Sequence, residues 1–381
     1  MIIEQLAYHN HLTGWQLVPT NFGAVNLLVG ISGVGKTKIL ESIQSLRDIA
    51  FGKNISGVEW DITFSTSKNC RYRWCGEFNI IYRSSYTIDS SNEKKYSQID
   101  NSNPNLKVER LYLNDNLIAS RDEIKIKFQG NIMPKLSPSE SLIKIFMAED
   151  IFKPIISGWL SVLNSDAQRP DRWVGSSLHD EIEGLSLSEI RKLNTTLVDR
   201  LGLLSINHPD VFAKIKSNII AIFSQVEDIR VLRESRRFEL ENRPSIVFSL
   251  EMKEIGVERW ISQSNISTGM LKTLTHITEI YLTPKGSVLL LDEFENSLGM
   301  NCIDVIDELL SDRKDMQFII TSHHPYLINK IPMQYWKIVT RKGSLVTARN
   351  ATDYEELSGS KHKVFTQLIN LPAYTEGIQV G

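Results

Sequence analysis

A glycine-rich segment near the N-terminus has the residue types and the spacing of a phosphate-binding loop. It reads Gly30-Ile31-Ser32-Gly33-Val34-Gly35-Lys36-Thr37 and fits the pattern G-x-x-x-x-G-K-[ST]. Glycines let the backbone wrap around phosphate, successive amides supply positive potential, and the lysine can pair with the β- and γ-phosphates. The alternative is an incidental glycine turn. We predict that Thr37 also binds Mg²⁺, and that a nucleoside triphosphate is bound by Gly30, Ser32, Gly33, Gly35, Lys36 and Thr37.

A pair of acids at the end of an apolar run is the expected partner of such a loop. Val288–Leu291 is entirely apolar and reads as a buried strand, and Asp292 and Glu293 follow it directly. We predict that Asp292 binds Mg²⁺, directly or through water. Glu293 is then placed to polarise the water that attacks the γ-phosphate. The alternative is a buried strand that ends in two surface acids.

A second apolar run ends in a polar cluster. Residues 318–321 read as a strand, and the sequence Ser-His-His-Pro follows them. A histidine in that position can contact the γ-phosphate and sense hydrolysis, so we predict that His323, rather than His324, is a catalytic residue beside Glu293. The alternative is a structural histidine.

A third polar segment lies at the start of a helical pattern. It reads Asn265-Ile266-Ser267-Thr268-Gly269-Met270. A serine hydroxyl, a glycine backbone and a helix N-terminus together form a second anion-binding surface, so we predict that Ser267 and Gly269 also contact nucleotide. The alternative is an ordinary helix cap at Ser267 or Thr268.

The elements around these residues follow from hydrophobic periodicity. Residues 2–8 and 15–18 predict an N-terminal β-hairpin, and residues 25–29 predict a buried strand before the phosphate loop. A helix with apolar residues at helical spacing follows over 38–49. Residues 58–86 favour antiparallel strands, and the pattern from 336 to 347 predicts a further hairpin.

Residues 139–224 have mainly helical patterns. Ser139 is a candidate cap for a helix that Pro154 should kink or interrupt. Ser186 and Glu189 have capping-box spacing before apolar residues that continue to Leu201 on one face, which predicts one helix. Pro209 suits the first residue of another helix. Arg233, Arg236 and Arg237 read as a solvated helix face more than as a DNA contact.

Composition restricts the class of protein. The chain has 381 residues, 41% of them hydrophobic and 23% charged, which supports a sizeable core. Its formal net charge of −2 argues against a generally basic protein that coats nucleic acid. Three cysteines cannot form a disulfide framework, and no apolar run reaches membrane-spanning length. These features predict a cytoplasmic protein that does not contact a membrane.

The four motifs together resemble the ABC-type ATPases outside the transporter group. GISGVGKT, NISTGMLKTL, VLLLDEFENSLG and IITSHHP most closely resemble the SMC, RecF and OLD-family ATPases and their small bacterial relatives of antiphage defence, such as the ATPases of the PARIS and Septu systems. The resemblance identifies Gly30–Thr37 as the Walker A loop and Ser267–Met270 as the ABC signature. It identifies Asp292 with Glu293 as the end of Walker B, residues 295–297 as the D-loop, and His323 as the switch histidine.

This resemblance implies a fold and a domain organisation. The expected fold is an α/β P-loop NTPase of ABC-ATPase type, with a mixed-sheet core, an antiparallel β subdomain and an inserted helical lobe. Residues 1–381 would form a single domain, in which 1–130 and 286–350 make the nucleotide-binding lobe and 131–285 the helical, signature-bearing lobe. The separation of the motifs leaves no room for SMC-type coiled coils, and the chain after His323 is too short for the nuclease domain of OLD proteins.

The resemblance also implies a function. ATP with Mg²⁺ would be sandwiched in a homodimer or larger homo-oligomer that controls a separately encoded effector, a nuclease or a toxin. The alternative is a DNA-repair ATPase like RecF or SMC that binds nucleic acid directly. The sequence departs from the family pattern at Ser32, often Asn, at Phe294, often Pro, and at residues 299–300, often His-Pro. Gln129 is a weak candidate for the Q-loop.

Overall fold

The computed structural model describes residues 1–66, 70–81, 103–123, 125–164, 182–193, 195–236, 245–293, 313–357, 361–375 and 377–379. The chain divides into two compact units. The first contains Met1–Leu163, Gln317–Ile319 and Met333–Gly381, and the second contains Asn164–Met316 and Ile320–Pro332. The predicted division into a nucleotide-binding lobe and a helical lobe stays a prediction, because a compact unit is defined by its packing and not by its function.

Residues 1–164 are mainly β-structure, as their alternating patterns predict. The strands are β1 (Ile2–Asn10), β2 (Trp15–Asn21), β3 (Val25–Val29), β4 (Val58–Ser65), β5 (Arg71–Phe78), β6 (Leu106–Leu113), β7 (Asn116–Arg121), β8 (Ile126–Phe128), β9 (Asn131–Ile132) and β10 (Val162–Asn164). The helices are α1 (Lys36–Ala50), α2 (Leu142–Ile145) and α3 (Lys153–Leu160).

The rest of the chain alternates helices and strands. The helices are α4 (Leu187–Lys192), α5 (Leu197–Asn207), α6 (Pro209–Ile222), α7 (Thr268–Leu282), α8 (Pro325–Lys330), α9 (Lys361–Asn370) and α10 (Pro372–Thr375). The strands are β11 (Val226–Arg236), β12 (Ser245–Glu254), β13 (Ile261–Ser262), β14 (Val288–Leu291), β15 (Gln317–Ser322), β16 (Trp336–Lys342), β17 (Leu345–Asn350) and β18 (Ile378–Gln379). None of the helices within the described ranges is both long and apolar enough to cross a bilayer.

The first unit is built on a mixed sheet. Strand β16 pairs in parallel with β3 and antiparallel with β17, and β17 pairs in parallel with β2. From β1 the sheet continues through β4, β5, β6, β7, β8 and β9 in antiparallel pairs. The expected mixed α/β fold with an antiparallel subdomain is therefore confirmed. The first half of β15 borders β3, since Phe318 N–H donates to Ala24 O at 2.8 Å.

Aromatic side chains form the core between this sheet and α3. Trp74 lies with its ring centroid 5.0 Å from Trp60 and 5.6 Å from Trp159, and all three are almost fully buried. A buried carboxylate adjoins them: Glu109 accepts hydrogen bonds from Trp74 Nε1 and from Leu142 N, both at 2.8 Å. Burial raises the pKa of Glu109 to about 7. The aromatic core thus adjoins a carboxylate whose two oxygens both have donors.

In the second unit, helices α5 and α6 pack against the β11–β12 hairpin, and α7 packs against α5 and α6. Gly202 of α5 is a point of close approach, because a Cβ there would lie 2.3 Å from the Phe248 ring of β12. Arg313 closes the far end of α7: its Nη1 donates to Ile280 O and its Nη2 to Thr283 O, both at 2.6 Å. A cation at a helix C-terminus also complements the helix dipole. The helix that carries Ser267 therefore has a fixed C-terminal end.

Several helix predictions are wrong in detail. Ser141, not Ser139, caps α2 by accepting from Lys144 N. Pro154 does not kink a helix but occupies the first turn of α3, where its missing N–H costs nothing. The capping box of Ser186 and Glu189 is confirmed, but its helix ends at Lys192, and Thr196 caps a separate helix. Thr196 competes for the backbone amides, which explains the break.

The arginine cluster does not lie on a helix. Arg233 and Arg236 belong to β11, opposite Phe248 and Ser245 of β12, and Arg237 lies outside the described residues. Arg233 pairs with Glu183 at 3.5 Å. The prediction of a helix face is therefore wrong, because long-range pairing with β12 overrides the local pattern.

Candidate nucleotide site

The phosphate loop lies between a buried strand and the N-terminus of a helix. Leu27, Leu28 and Val29 of β3 are fully buried, and α1 starts at Lys36. Gly35 has φ +104°, and a Cβ there would lie 3.2 Å from Trp15 Nε1 and 3.3 Å from Val346 Cγ2. Both the left-handed backbone and this close approach explain why glycine is required. The strand–loop–helix order predicted from the sequence is present.

Lys36 is buried and held by its own loop. It is 8% exposed, and its Nζ donates to Gly30 O at 2.6 Å and to Ile31 O at 3.1 Å. No side chain caps the N-terminus of α1, and its first turn contains no acid. An ammonium group beside a helix N-terminus whose first turn contains no acid suits a phosphate group. The loop residues therefore fit a nucleoside triphosphate, with Ser32, Gly33 and Thr37 exposed at its surface.

Arg341 is a neighbour of the loop that the sequence did not reveal. It lies in β16, and its Nη1 donates to Gly33 O at 3.4 Å. Its backbone N–H donates to Gly377 O at 2.6 Å, and its Nε donates to Gly343 O at 2.5 Å. The guanidinium is only partly exposed, so it contributes a fixed positive charge beside the loop. The signal in the sequence was only a basic hairpin turn, Arg-Lys-Gly, far from the loop along the chain.

The predicted acids lie at the end of a strand that is buried throughout. Residues Val288–Leu291 are all buried, whereas Asp292 is partly exposed and Glu293 is exposed. Thr321 of strand β15 forms hydrogen bonds with both residues. Its Oγ1 donates to Asp292 Oδ1 at 2.6 Å and accepts from Glu293 N at 2.7 Å. A single hydroxyl therefore fixes one carboxylate and the backbone of the next residue.

Glu293 has an unusual backbone conformation. Its φ of +43° places a residue with a long side chain in the left-handed region. Such conformations cost free energy and persist where the surroundings enforce them, often at functional sites. The hydrogen bond from Glu293 N to Thr321 contributes to that enforcement. Thr321 ends the predicted strand, but no local pattern in the sequence marks it as a residue of the site.

His323 lies just beyond the buried end of β15. Thr321 and Ser322 are buried, His323 is exposed and His324 is partly exposed. Ser322 Oγ accepts from His324 N at 3.0 Å, which fixes the turn between β15 and α8. His323 is two residues along the chain from Thr321, whose hydroxyl donates to Asp292. The residue is exposed, so its imidazole is accessible.

The predicted signature is an exposed helix N-terminus. Ser267 is the N-cap of α7 and accepts from Met270 N at 3.2 Å, so the alternative of a helix cap is realised. A hydroxyl that accepts at one lone pair can still donate its own hydrogen to another group. Ser267, Thr268 and Gly269 are all exposed, and no described atom outside the backbone of α7 would lie within 4 Å of a Cβ at Gly269. The cap and a phosphate contact are therefore compatible.

The remaining predicted residues are the segment after Glu293 and the Q-loop candidate Gln129. The predicted D-loop (295–297), Phe294, the departures at 299–300 and the predicted helix at 303–310 lie outside the described residues. Gln129 lies in the tight turn between β8 and β9 with φ +48°, exposed, and its N–H donates to Ile118 O. Its position is explained by the hairpin turn alone.

Comparison with known proteins assigns the family. The family model described as "AAA domain, putative AbiEii toxin, Type IV TA system" matches residues 25–329, from the strand before the phosphate loop to the helix after His323. The chain belongs to this AAA family of ATPases. The predicted α/β P-loop fold is thereby confirmed, whereas ATP hydrolysis by this chain stays a prediction. No curated protein matches the sequence.

Solved structures show a distant likeness to SMC heads. The SMC head bound to the C-terminal winged-helix domain of ScpA is 12% identical, with 91% of this chain and 97% of that chain covered and a TM-score of 0.47. The SMC head domain from Thermotoga maritima is 13% identical, with coverages of 92% and 99% and a TM-score of 0.42. The SMC head from Pyrococcus furiosus bound to the C-terminal domain of ScpA is 12% identical, with coverages of 91% and 95% and a TM-score of 0.46. A likeness at this level indicates neither a substrate nor a partner.

Proposed function

We propose that this protein binds and hydrolyses ATP between two copies of its chain and thereby controls a separately encoded nuclease or toxin in bacterial antiphage defence. The observation that carries the hydrolytic part is the chain of hydrogen bonds from Glu293 N through Thr321 Oγ1 to Asp292 Oδ1. It fixes two acids with different tasks at the end of one strand. Membership of an ATPase family supports the same conclusion.

The phosphate loop binds the substrate in this proposal. Lys36 exchanges its bonds to Gly30 O and Ile31 O for bonds to the β- and γ-phosphates, which are stronger because both partners are charged. The Thr37 hydroxyl and the Asp292 carboxylate are the groups that would hold Mg²⁺, which when bound neutralises phosphate charge. Thr321 holds the Asp292 carboxylate in place for this task.

Glu293 and His323 carry the chemistry. Glu293 is exposed and acts as the general base that takes a proton from the attacking water. His323 is exposed beyond the buried end of β15 and contacts the γ-phosphate, so it can respond to loss of that phosphate. Both residues are accessible in the described chain, as a substrate-contacting role requires.

Ser267 and Gly269 act across a dimer interface. The exposed start of α7 offers a hydroxyl, an exposed glycine backbone and a helix dipole, all of which favour an anion. We propose that these residues cover the ATP bound by the partner chain. ATP then holds the two chains together, and loss of the γ-phosphate loosens them.

The proposed role in antiphage defence is supported by the name of the matched family and by the net charge of the chain. The matched family is named for a toxin of a type IV toxin–antitoxin system, which favours control of a toxic activity over transport or repair. A net charge of −2 is also a poor basis for autonomous DNA binding, since neutralising several phosphates needs clustered lysine and arginine. We place this activity in the cytoplasm, where ATP is available.

Co-purification tests these parts separately. The tagged chain is expressed with its flanking genes, as wild type and as Glu293→Gln, and purified with and without ATP and Mg²⁺. We expect ATP hydrolysis by the wild type, and a second protein that co-elutes with Glu293→Gln in an ATP-dependent manner. Absence of hydrolysis by the wild type contradicts the ATPase proposal. Tight, salt-sensitive DNA binding by the lone chain, with no second protein, supports the RecF-like alternative instead.

A further inference from the structure

Two histidines and a glutamate meet at the end of the β1–β4 pair, in the first unit. His9 lies in β1 directly opposite Glu59 of β4, and His11 follows β1 on the same side. Glu59 Oε2 is 3.9 Å from His9 Nδ1 and 2.9 Å from His11 Nε2, and the two imidazole centroids are 3.8 Å apart. One ligand atom from each residue lies within 4.8 Å of the others.

Ordered backbone positions all three side chains. His9 and Glu59 are strand residues, and His11 N–H donates to Gly57 O at 2.8 Å. The turn after His11 is closed by Asn10 Oδ1, which accepts from Leu12 N and Thr13 N at 3.1 Å each. The register of β1 with β4 places His9 opposite Glu59, and the turn after β1 brings the His11 imidazole to the same carboxylate. Sites on paired strands are held more firmly than sites on loops.

The surrounding charges favour a bound cation. Glu59 lies directly opposite Glu77 of β5, and two carboxylates in that relation repel each other. Lys107 Nζ pairs with Glu77 Oε1 at 2.5 Å, whereas Glu59 has only the two histidines among its described polar partners. Glu77 is thus already compensated by a permanent cation. Glu59 faces two nitrogen ligands instead.

We propose that His9, His11 and Glu59 bind one divalent transition-metal ion, with Zn²⁺ as the ion that fits this set of ligands. Two imidazoles and a carboxylate are a known three-ligand set for Zn²⁺, with water in the fourth position. Imidazole ligands disfavour Mg²⁺ and Ca²⁺, which prefer oxygen. Tetrahedral coordination at about 2.0–2.1 Å places ligand atoms roughly 3.4 Å apart, which lies within the spread found here.

The site is accessible, and its three ligands are not among the residues proposed for catalysis. His9 and Glu59 line a groove of about 310 Å³ with Cys75, Glu77 and Arg110. His9 and His11 are partly exposed, and Glu59 is exposed. An ion can therefore enter without unfolding the sheet. None of the three ligands belongs to the phosphate loop or to the strand ends that carry Asp292 and His323.

The competing explanation is a simple hydrogen bond between His11 and Glu59. His11→Gln distinguishes this hydrogen bond from a metal site, because a glutamine amide can still donate to Glu59 but is a poor Zn²⁺ ligand. Substitution of His9 by Gln and of Glu59 by Gln removes the other two ligands in turn. His208→Gln is the matched control, since His208 Nε2 contacts Leu185 O in the second unit. All variants retain Cys70 and Cys75, so background binding by thiols is the same.

The experiment titrates Zn²⁺ into the chelator-stripped full chain against a chromophoric chelator, with Mg²⁺ present and nucleotide absent. We expect the wild type and His208→Gln to bind one more ion than the three ligand variants, or to bind it about tenfold or more tightly. In the wild type and in His208→Gln, but in none of the three ligand variants, Co²⁺ should give an intense visible absorption and Zn²⁺ should raise the melting temperature. Circular dichroism checks that each variant is folded. Equal affinity and stoichiometry in wild type and in any folded ligand variant overturns the proposal.

Discussion

Two helix N-termini are proposed to bind phosphate. Contacts within the single chain organise the N-terminus of α1 much more than that of α7. At α1, Lys36 is buried, its ammonium group is held by two loop carbonyls, and Gly35 is packed against Trp15 and Val346. At α7, Ser267 and Gly269 are exposed, and among the described residues no atom outside the backbone of α7 lies within 4 Å of a Cβ at Gly269. The N-terminus of α1 is organised by internal packing. The N-terminus of α7 has a cap and is exposed within the described part of the chain.

This difference indicates where each half of the site obtains its partner. A loop that is organised in the single chain can bind nucleotide alone, because little ordering remains to be done on binding. An exposed serine and glycine at a helix start contribute only when another surface reaches them. The comparison therefore predicts that damage to the loop abolishes binding, whereas damage to the start of α7 abolishes only what two chains do together.

The largest effect is expected from Lys36→Ala. It removes charge-assisted bonds to two phosphates, so we expect nucleotide affinity to fall by about a thousandfold, since each such bond contributes roughly 1.5–3 kcal/mol. Titration calorimetry with ATP measures this loss. Lys38→Ala, which removes an exposed lysine of the same helix, should bind like the wild type. Unchanged affinity in Lys36→Ala would contradict the assignment of the loop.

Glu293→Gln is expected to separate binding from hydrolysis. The amide cannot take a proton from water, so kcat should fall by about a hundredfold or more while ATP affinity is retained. Steady-state phosphate release and calorimetry measure the two quantities. Glu258→Gln serves as the control, because Glu258 is an exposed acid outside the strand ends. Hydrolysis at the wild-type rate would assign the general base to another residue.

Mixing two inactive variants tests the role of α7 directly. Ser267→Asp retains a good N-cap residue but places a negative charge where a γ-phosphate is proposed, so its single chain should bind ATP and its dimer should not hydrolyse it. An equal mixture with Lys36→Ala contains heterodimers that each have one intact composite site. If dimers exchange freely, activity should recover to about a quarter of the wild type. No recovery, with heterodimers shown to form, would mean that each site lies within one chain.

Thr321→Val is expected to have a moderate effect. It removes the hydroxyl that donates to Asp292 and accepts from Glu293 N, and each lost bond near a charge contributes roughly 1–2 kcal/mol. We expect about a tenfold loss of kcat and a higher Mg²⁺ requirement, with ATP binding little changed. Thr321→Ser keeps the hydroxyl and should restore both. Equal defects in Thr321→Ser and Thr321→Val would indicate a packing role instead.

The smallest effect concerns the stability of α7 in acid. Burial, with a smaller contribution from Lys272, lowers the pKa of His276 from its usual 6.5 to about 4. The unfolded chain therefore binds more protons between pH 6.5 and pH 4, so stability is full above that window and is lost as the pH falls through it. From pH 7 to pH 5.5 we expect a loss of about 1 kcal/mol from this group. Urea unfolding at both pH values, for the wild type and for His276→Leu, should show a flatter dependence in the variant.

Local patterns were sufficient where the residue types themselves restrict the backbone. Gly35 and Lys36 define the loop, Pro209 starts α6, and Ser186 with Glu189 forms a capping box, all as expected. The apolar strands before Asp292 and His323 were equally clear, because complete burial leaves few other interpretations for short runs of Leu, Ile and Val. These are features whose physical cause lies within about ten residues of chain.

Features that join distant segments were not predictable in this way. Arg233 lies on a strand because β12 pairs with it, and its own sequence is compatible with a helix. The His9–His11–Glu59 cluster depends on the register of β1 with β4.

The sequence by itself determined the identity and chain order of the groups that bind phosphate and move protons, since glycine, lysine, aspartate and glutamate carry their chemistry and their backbone preferences locally. Only the tertiary structure decided that Thr321 joins Asp292 to Glu293, that Arg341 lies beside Gly33, and that the start of α7 remains exposed. Each of these depends on which strands become neighbours and which surfaces remain uncovered. Pairing and burial are set by the free energy of the whole chain, so no local pattern encodes them.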